Sequence, residues 1–268
     1  MVLLLKRNWA FAKLAILSNL EYRLNYFVDA VVQPSITCLI EVSLWSAVFI
    51  SAGKTEIGGF GKDYYIAYVI WSAFIARIAS NWMYEFRMIE DINNGAINNV
   101  LTRPMSFFEY YFSQFMGYKT LTLIVSIFVP IVACSFFNLP LNFARIPATL
   151  CLVFYYLIFL YLVSFITSMA SFYLARIYGL TMAKNLALWM ISGELVPLDI
   201  FPEPYRSLLI KLPFANGVFT PVAYLTGRID STQLLNGFAS VTVGILICSF
   251  FAVFAWKKGM KQYTGTGA

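Results

Sequence analysis

Long apolar runs separated by short polar stretches make up most of the chain. Several runs reach about 20 residues, the length that an α-helix needs to cross the hydrocarbon core of a bilayer. Irregular backbone cannot face lipid, because its peptide groups would lack hydrogen-bond partners. The pattern predicts an all-α polytopic membrane protein with six transmembrane helices, at residues 27–49, 64–83, 118–137, 150–173, 180–191 and 238–256.

The fifth predicted span, 180–191, is the weakest, because it is short and contains Lys184; a start near Ala175 is the alternative. Composition supports the membrane class. Apolar residues make up 60% of the chain and charged residues 12%, against about 25% charged in soluble domains.

Lysine and arginine residues indicate the orientation. Six spans place both termini on one side, and most basic residues fall on that side, including Arg87, Arg103, Lys257 and Lys258. This bias predicts cytoplasmic termini. The net charge of +6 then reflects topology and contact with anionic lipid headgroups. Nucleic-acid binding is disfavoured, because no basic stripe is concentrated on a soluble domain.

Residues for catalysis are scarce. The chain has no histidine, which removes histidine bases and histidine metal ligands. The segment "GGFGK" at 58–62 is similar to a phosphate loop but has Glu56 where the first glycine is needed and Asp63 in place of Ser or Thr. The segment is therefore predicted to form an external turn. No catalytic, cofactor-binding or metal-binding residue is predicted.

Residues 1–26 are predicted to form an amphipathic helix in the membrane interface, with Trp9 and Leu14 interspersed with Lys6, Arg7 and Lys13. The alternative is a short frayed tail.

A second amphipathic helix, of about four turns, is predicted within residues 86–104. Its apolar face holds Ile89, Ile92, Ala96 and Val100, and its polar face holds Arg87, Glu90, Asp91, Asn94 and Asn98. Pro104 ends it, and the aromatics at 107–111 lead back to the membrane surface. We expect one face to seat on the bundle and the other to meet a soluble partner. The alternative is a helix resting on lipid.

The last external loop, 192–230, contains five prolines and two apolar pieces of about ten residues, too short to span a bilayer. These pieces are predicted to be short re-entrant or interfacial helices that cap a cavity between the spans. The alternative is an ordinary extracytoplasmic loop with an apolar patch.

Glu41 falls near the middle of the first span, where a charge costs about 2.5–3.5 kcal/mol. We expect it to bond neighbouring hydroxyls or to face the cavity, with helix packing as the alternative. Arg77, in the second span, is a poor partner, because the two depths differ by about 11 Å.

The order of these elements resembles the ABC-2 type permeases, the membrane subunits of ABC exporters. "GAINNVLTRP" at 95–104 resembles the family pattern G-x-x-x-x-x-L-x-R-P. "GELVPLDIFP" at 193–202, followed by "LPF" at 212–214, resembles the pattern G-x-x-x-P-x-x-x-x-P and its downstream L-P-F. The resemblance covers nearly the whole chain.

The resemblance implies one permease domain, 1–268, in the inner (plasma) membrane, working as a dimer with an identical or homologous permease and coupling to two separate ATPases that bind ATP and Mg²⁺. The coupling region, 84–108, would use Arg87, Glu90, Asp91, Asn94, Gly95, Asn98, Arg103 and Pro104, with a shorter contact at 174–180. The re-entrant region, 192–235, would use Glu194, Pro197, Pro202, Pro204, Pro213 and Phe214.

Two alternatives stay open at this stage: a membrane scaffold or assembly protein without transport, and a channel or carrier that works alone. The sequence does not indicate the substrate, because such folds export lipids, peptides, drugs and polysaccharides.

Overall fold

The structure is a computed structural model that describes residues 2–174 and 176–263. Within these residues the chain forms α-helices joined by short turns. The helices are α1 (Val2–Glu21), α2 (Arg23–Phe27), α3 (Gln33–Ala52), α4 (Lys62–Ile78), α5 (Trp82–Asn93), α6 (Asn98–Leu101), α7 (Phe107–Phe136), α8 (Ile146–Met169), α9 (Tyr178–Ile191), α10 (Tyr205–Lys211), α11 (Phe219–Leu225) and α12 (Ser231–Gly259).

Four helical stretches within the described residues are long and apolar enough to cross a membrane. They are Arg23–Ala52, α7, Phe143–Phe172 around α8, and α12. The first of these consists of α2 and α3 joined by a π-helical turn at Val28–Val32. The protein is therefore an all-α membrane protein, as the apolar runs predict.

The second and fifth predicted spans fold as shorter helices. Helix α4 has 17 residues and ends at Ile78, not at residue 83 as predicted. The backbone leaves helical geometry there, with Asn81 at φ −136° and ψ 15°, and a separate helix, α5, begins at Trp82. Helix α9 has 14 residues. The count of six spans stays a prediction.

Helix α7 begins 11 residues before the predicted third span, at Phe107. A capping box causes the early start. The Glu109 amide donates to Ser106 Oγ at 3.1 Å, and the Ser106 amide donates to Glu109 Oε2 at 3.0 Å. The aromatics at 107–111 therefore lie in the first turns of α7; their place at the membrane surface stays a prediction.

Helices α4 and α8 form the centre of the bundle. Helix α4 packs between α3 and α7, whereas α8 packs against α12, α5 and α11. Their buried side chains include the large aromatics Tyr65, Trp71, Phe159 and Tyr161. Before α4, strands β1 (Glu56–Ile57) and β2 (Phe60–Gly61) pair antiparallel. The glycines of "GGFGK" therefore belong to a β-hairpin.

Helix α1 packs along the first turns of α7. The contact is close at Gly117, where an added Cβ would lie 2.9 Å from the Ala12 carbonyl carbon and Cα. Arg7 pairs with Glu109 at 3.0 Å. Trp9 and Leu14 are exposed. The predicted helix is present; its position in the membrane interface stays a prediction.

Candidate functional site

A cavity of about 440 Å³ lies between α3, α4 and α9. Its polar and aromatic lining includes Glu41 from α3, Arg77 from α4, Trp82 from α5, Asn185 and Trp189 from α9, and Glu194 from the loop after α9. Charged side chains inside an apolar bundle are costly and mark functional positions. The cavity is therefore the first part of the candidate site.

Glu41 and Glu194 have no ion-pair or hydrogen-bond partner for their carboxylates among the described residues. Arg77 pairs instead with Asp29, which also accepts a hydrogen bond from Tyr118. The structure thus places Glu41 on the cavity wall, and Arg77 does not pair with it.

Glu194 is positioned by the turn that ends α9. Gly193 has φ +83°, and an added Cβ there would lie 2.9 Å from both Phe219 Cβ and Tyr68 Oη. The Tyr68 hydroxyl donates to the Gly193 carbonyl at 2.7 Å, and the Phe219 amide donates to the Ser192 carbonyl at 2.9 Å. Only glycine fits this turn without strain, so Gly193 fixes where Glu194 enters the cavity.

The segment from Pro197 to α11 divides into an exposed part and a buried part. Pro202, Pro204 and three residues of α10 (Tyr205, Leu208 and Lys211) are exposed, whereas Pro197 and residues 215–225 are buried. Helix α11 packs against α4, α8 and α12.

This segment reaches far along the bundle. A Cβ on Gly244 would lie 3.1 Å from Pro213 Cβ, and Gly244 is about 20 Å along α12 from the first residue of that helix. The Phe214 ring lies 5.4 Å from the ring of Phe159 in α8. The chain therefore inserts between α8 and α12.

A buried charge cluster, which sequence patterns do not indicate, holds the start of this segment. Asp199 is 7% exposed and pairs with Arg228 at 2.9 Å. The Tyr64 hydroxyl donates to Asp199 at 3.0 Å, and the Arg228 guanidinium lies 3.8 Å from the centre of the Phe60 ring. An isolated acidic residue in an apolar sequence indicates a buried partner, but Arg228 is 29 positions away in the sequence, so the pattern does not identify it.

The predicted amphipathic helix at 86–104 is two helices, α5 and α6, with a turn between them. Gly95 adopts φ +72° and ends α5, as a glycine beyond a helix C-terminus commonly does. The single four-turn helix is therefore wrong. The facial division is present: Ile89, Ile92 and Val100 are buried, whereas Arg87, Glu90, Asn94, Asn98, Arg103 and Pro104 are exposed.

Two polar residues of this segment anchor it to α7. Asp91 accepts a hydrogen bond from Tyr111, and Arg87 donates to Gln114 Oε1 at 3.1 Å. Burial raises the pKa of Asp91, and the nearby Arg87 acts in the opposite direction. Asp91 therefore faces the bundle more than solvent, and Glu90 is the acidic side chain that faces outward.

The end of the segment contacts α1. The Arg103 guanidinium lies over the Tyr110 ring at 5.2 Å and the Phe11 ring at 5.9 Å. The Pro104 carbonyl accepts a hydrogen bond from Arg7.

A buried ion pair connects α5 to the cavity. Glu85, which is fully buried, pairs with Lys184 of α9. Burial raises the pKa of Glu85, and Lys184 acts in the opposite direction. Helix α9 also carries Asn185 and Trp189, which line the cavity. The ion pair therefore joins α5 to the helix that forms part of the cavity wall.

The predicted second contact, at 174–180, lies beside α5. Arg176 and Tyr178 are exposed, and the Tyr178 ring stacks on Phe86 at 5.2 Å. Position 175 is outside the described residues. The two predicted contact regions thus form a continuous surface.

Comparison with known protein families gives a match over most of the chain. The family model for the ABC-2 family transporter protein matches residues 36–267. No curated protein and no solved structure matches the chain. The matched range includes the cavity, the α5–α6 segment and the buried segment before α12, so the chain belongs to the ABC-2 family of transporter proteins, as a membrane permease component of an ABC transporter.

Proposed function

We propose that this chain is the permease subunit of an ATP-driven exporter and that separate cytoplasmic ATPases, which bind ATP and Mg²⁺, dock on its α5–α6 segment. The observation that carries the proposal is that one side of this segment is buried and the other side is exposed. Its apolar side chains are packed and Arg87 and Asp91 are anchored to α7, while Glu90, Asn94 and Arg103 face outward. Such a surface is rigid and has both signs of charge, which suits a protein partner.

The coupling route runs from α5 to α9. ATPase closure would move α5, and the Glu85–Lys184 pair would transmit that movement to the helix that carries Asn185 and Trp189. The exposed residues of the turn before α9 would give the ATPase a second contact. This arrangement couples nucleotide state to the shape of the cavity.

A second permease, identical or homologous, would complete the pathway. Helix α3 exposes Ile36, Leu39, Ile40 and Leu44. Helix α9 buries only Thr181 and Asn185 among its 14 residues. The cavity lies between these two sparsely covered helices, so a partner permease on this face would enclose it.

The proposed topology has six crossings, with α4 and α9 as the second and fifth. Helix α9 is about 21 Å long, short of a core of about 30 Å. The buried segment after it would fill the remaining depth as a re-entrant cap. Both termini would lie in the cytoplasm, in the plasma membrane.

The test is copurification of the permease with candidate ABC ATPases from the same genome. Glu90→Lys reverses an exposed charge and should reduce ATPase recovery about tenfold at matched permease expression. Glu56→Lys, on the exposed hairpin of the opposite end, is the matched control and should change nothing.

Loss of ATPase with both variants would indicate a general folding defect. Unchanged recovery and unchanged transport with Glu90→Lys would contradict docking on α5–α6. An ATPase that copurifies without stimulating transport of any substrate would favour a scaffold, and transport without an ATPase would favour a stand-alone carrier.

A further inference from the structure

We propose that the cavity between α3, α4 and α9 binds organic cations that carry aromatic or apolar groups. This inference rests on the proposed function, because it assigns a substrate class to the same pathway. It follows from the charges, the unpaired polar groups and the aromatic residues of the cavity wall.

The charge balance of the wall is negative. Glu41 and Glu194 both line the cavity and have no ion-pair partner among the described residues. The cation of the wall, Arg77, is already paired with Asp29. Two carboxylates that lack an ion-pair partner in an apolar bundle would be stabilised in their ionised form by a bound positive charge.

Asn81 supplies an independent observation. It is 6% exposed, and neither Nδ2 nor Oδ1 of its side chain has a hydrogen-bond partner among the described residues. It lines a small cavity that shares Trp82, Trp189 and Glu194 with the larger one. A buried amide without partners costs about 1–3 kcal/mol, so this position is suited to a ligand, or a ligand-bound water, that supplies polar atoms.

Two tryptophans flank the carboxylates. Trp82, at the start of α5, and Trp189, on α9, line both cavities. The face of a tryptophan ring is the strongest aromatic partner for an organic cation. Carboxylates alone would suit a small hydrated ion, whereas carboxylates beside indole rings favour a cation with apolar substituents.

The test compares two probes of nearly the same shape and opposite charge, tetraphenylphosphonium and tetraphenylborate. Binding of each is measured by equilibrium dialysis with the purified full-length permease in detergent, without ATPase. We expect saturable binding of the cation and none of the anion. This comparison on the wild-type chain needs no variant to fold.

Variants locate the site. Glu41→Gln and Glu194→Gln keep side-chain shape and should each weaken tetraphenylphosphonium binding about tenfold, the effect of losing one favourable charge contact. Glu56→Gln, on the exposed hairpin, is the control and should bind as wild type. Monodisperse elution of each variant in gel filtration establishes that it is folded.

Equal saturable binding of both probes, no binding of the cation, or cation binding that is unaffected by both glutamate variants would overturn the proposal. Because the measurement omits the ATPase, its result is separate from that of the docking experiment. If the chain binds the cation but recruits no ATPase, the result supports this binding site and contradicts the proposed ATP-driven transport.

Discussion

Glu85 of α5 and Lys184 of α9 form a buried ion pair although 99 positions separate them in the chain. The Glu85 side chain is 1% exposed and that of Lys184 is 20% exposed. The pair links the α5–α6 segment directly to a helix of the cavity wall, and it lies next to Ser164 of α8.

Removing one partner of this pair should destabilise the protein strongly. Lys184→Met leaves the Glu85 carboxylate buried without compensation and should cost about 3–5 kcal/mol. The double variant Glu85→Gln/Lys184→Met should recover most of that loss. Thermal unfolding of the detergent-solubilised protein measures both. Equal stability of the wild type and Lys184→Met would contradict a structural role for the pair.

The same variant should show a pH dependence. Burial raises the folded-state pKa of Glu85, so a Glu85 without its lysine is tolerated better when protonated. The stability deficit of Lys184→Met should be smaller at acidic pH and increase as pH rises above the ordinary pKa of a glutamate. A deficit that is independent of pH would indicate lost packing of the lysine stem.

Gly95→Ala should disturb the α5–α6 segment, because Gly95 has φ +72° and a left-handed conformation costs a residue with a Cβ about 1–2 kcal/mol. We expect faster hydrogen exchange in α6 and lower ATPase recovery. Gly61→Ala is the matched control, because Gly61 has φ −75°. Equal exchange in both variants would mean that the turn adapts without strain.

Gly117→Ala should displace α1 from α7, because the new Cβ would press on the Ala12 backbone. We expect a loss of about 1–3 kcal/mol and faster proteolysis within α1. Gly179→Ala is the control, since an added Cβ there has open space around it. Unchanged proteolysis of the Gly117 variant would show that the two helices separate easily.

Cysteine labelling tests the segment before α12. Leu208→Cys, at an exposed position of α10, should react rapidly with an impermeant maleimide applied from outside, whereas Ala215→Cys and Ala223→Cys, both fully buried, should react slowly. A background with Cys38, Cys134, Cys151 and Cys248 replaced prevents labelling of native thiols. Rapid labelling at all three positions would indicate an ordinary exposed loop.

Sequence patterns predict some of these features well, because those features depend on local order. Apolar length predicts the membrane class, and the spacing of Ile89, Ile92 and Val100 predicts which side of the α5–α6 segment is buried. Both depend on residues that are near one another in the sequence.

Other features depend on distant parts of the chain. No glycine or proline marks the break between α4 and α5 at Asn81. Apolar content alone therefore predicts one helix where the structure has two. The partner of Arg77 is Asp29, not the deeper Glu41. The Glu85–Lys184 pair forms only when α5 packs against α9. The Asp199–Arg228 pair forms only when the segment before α12 has folded.

The contact of α1 with α7 has a consequence for synthesis. Ala12 leaves the ribosome about a hundred residues before Gly117, at roughly 5–20 residues per second, so α1 has no docking site for several seconds. During that time the face of α1 that packs on α7 in the folded chain, including Ala12, is left to lipid or a chaperone. Helix α1 can therefore join the bundle only after α7 has been synthesised.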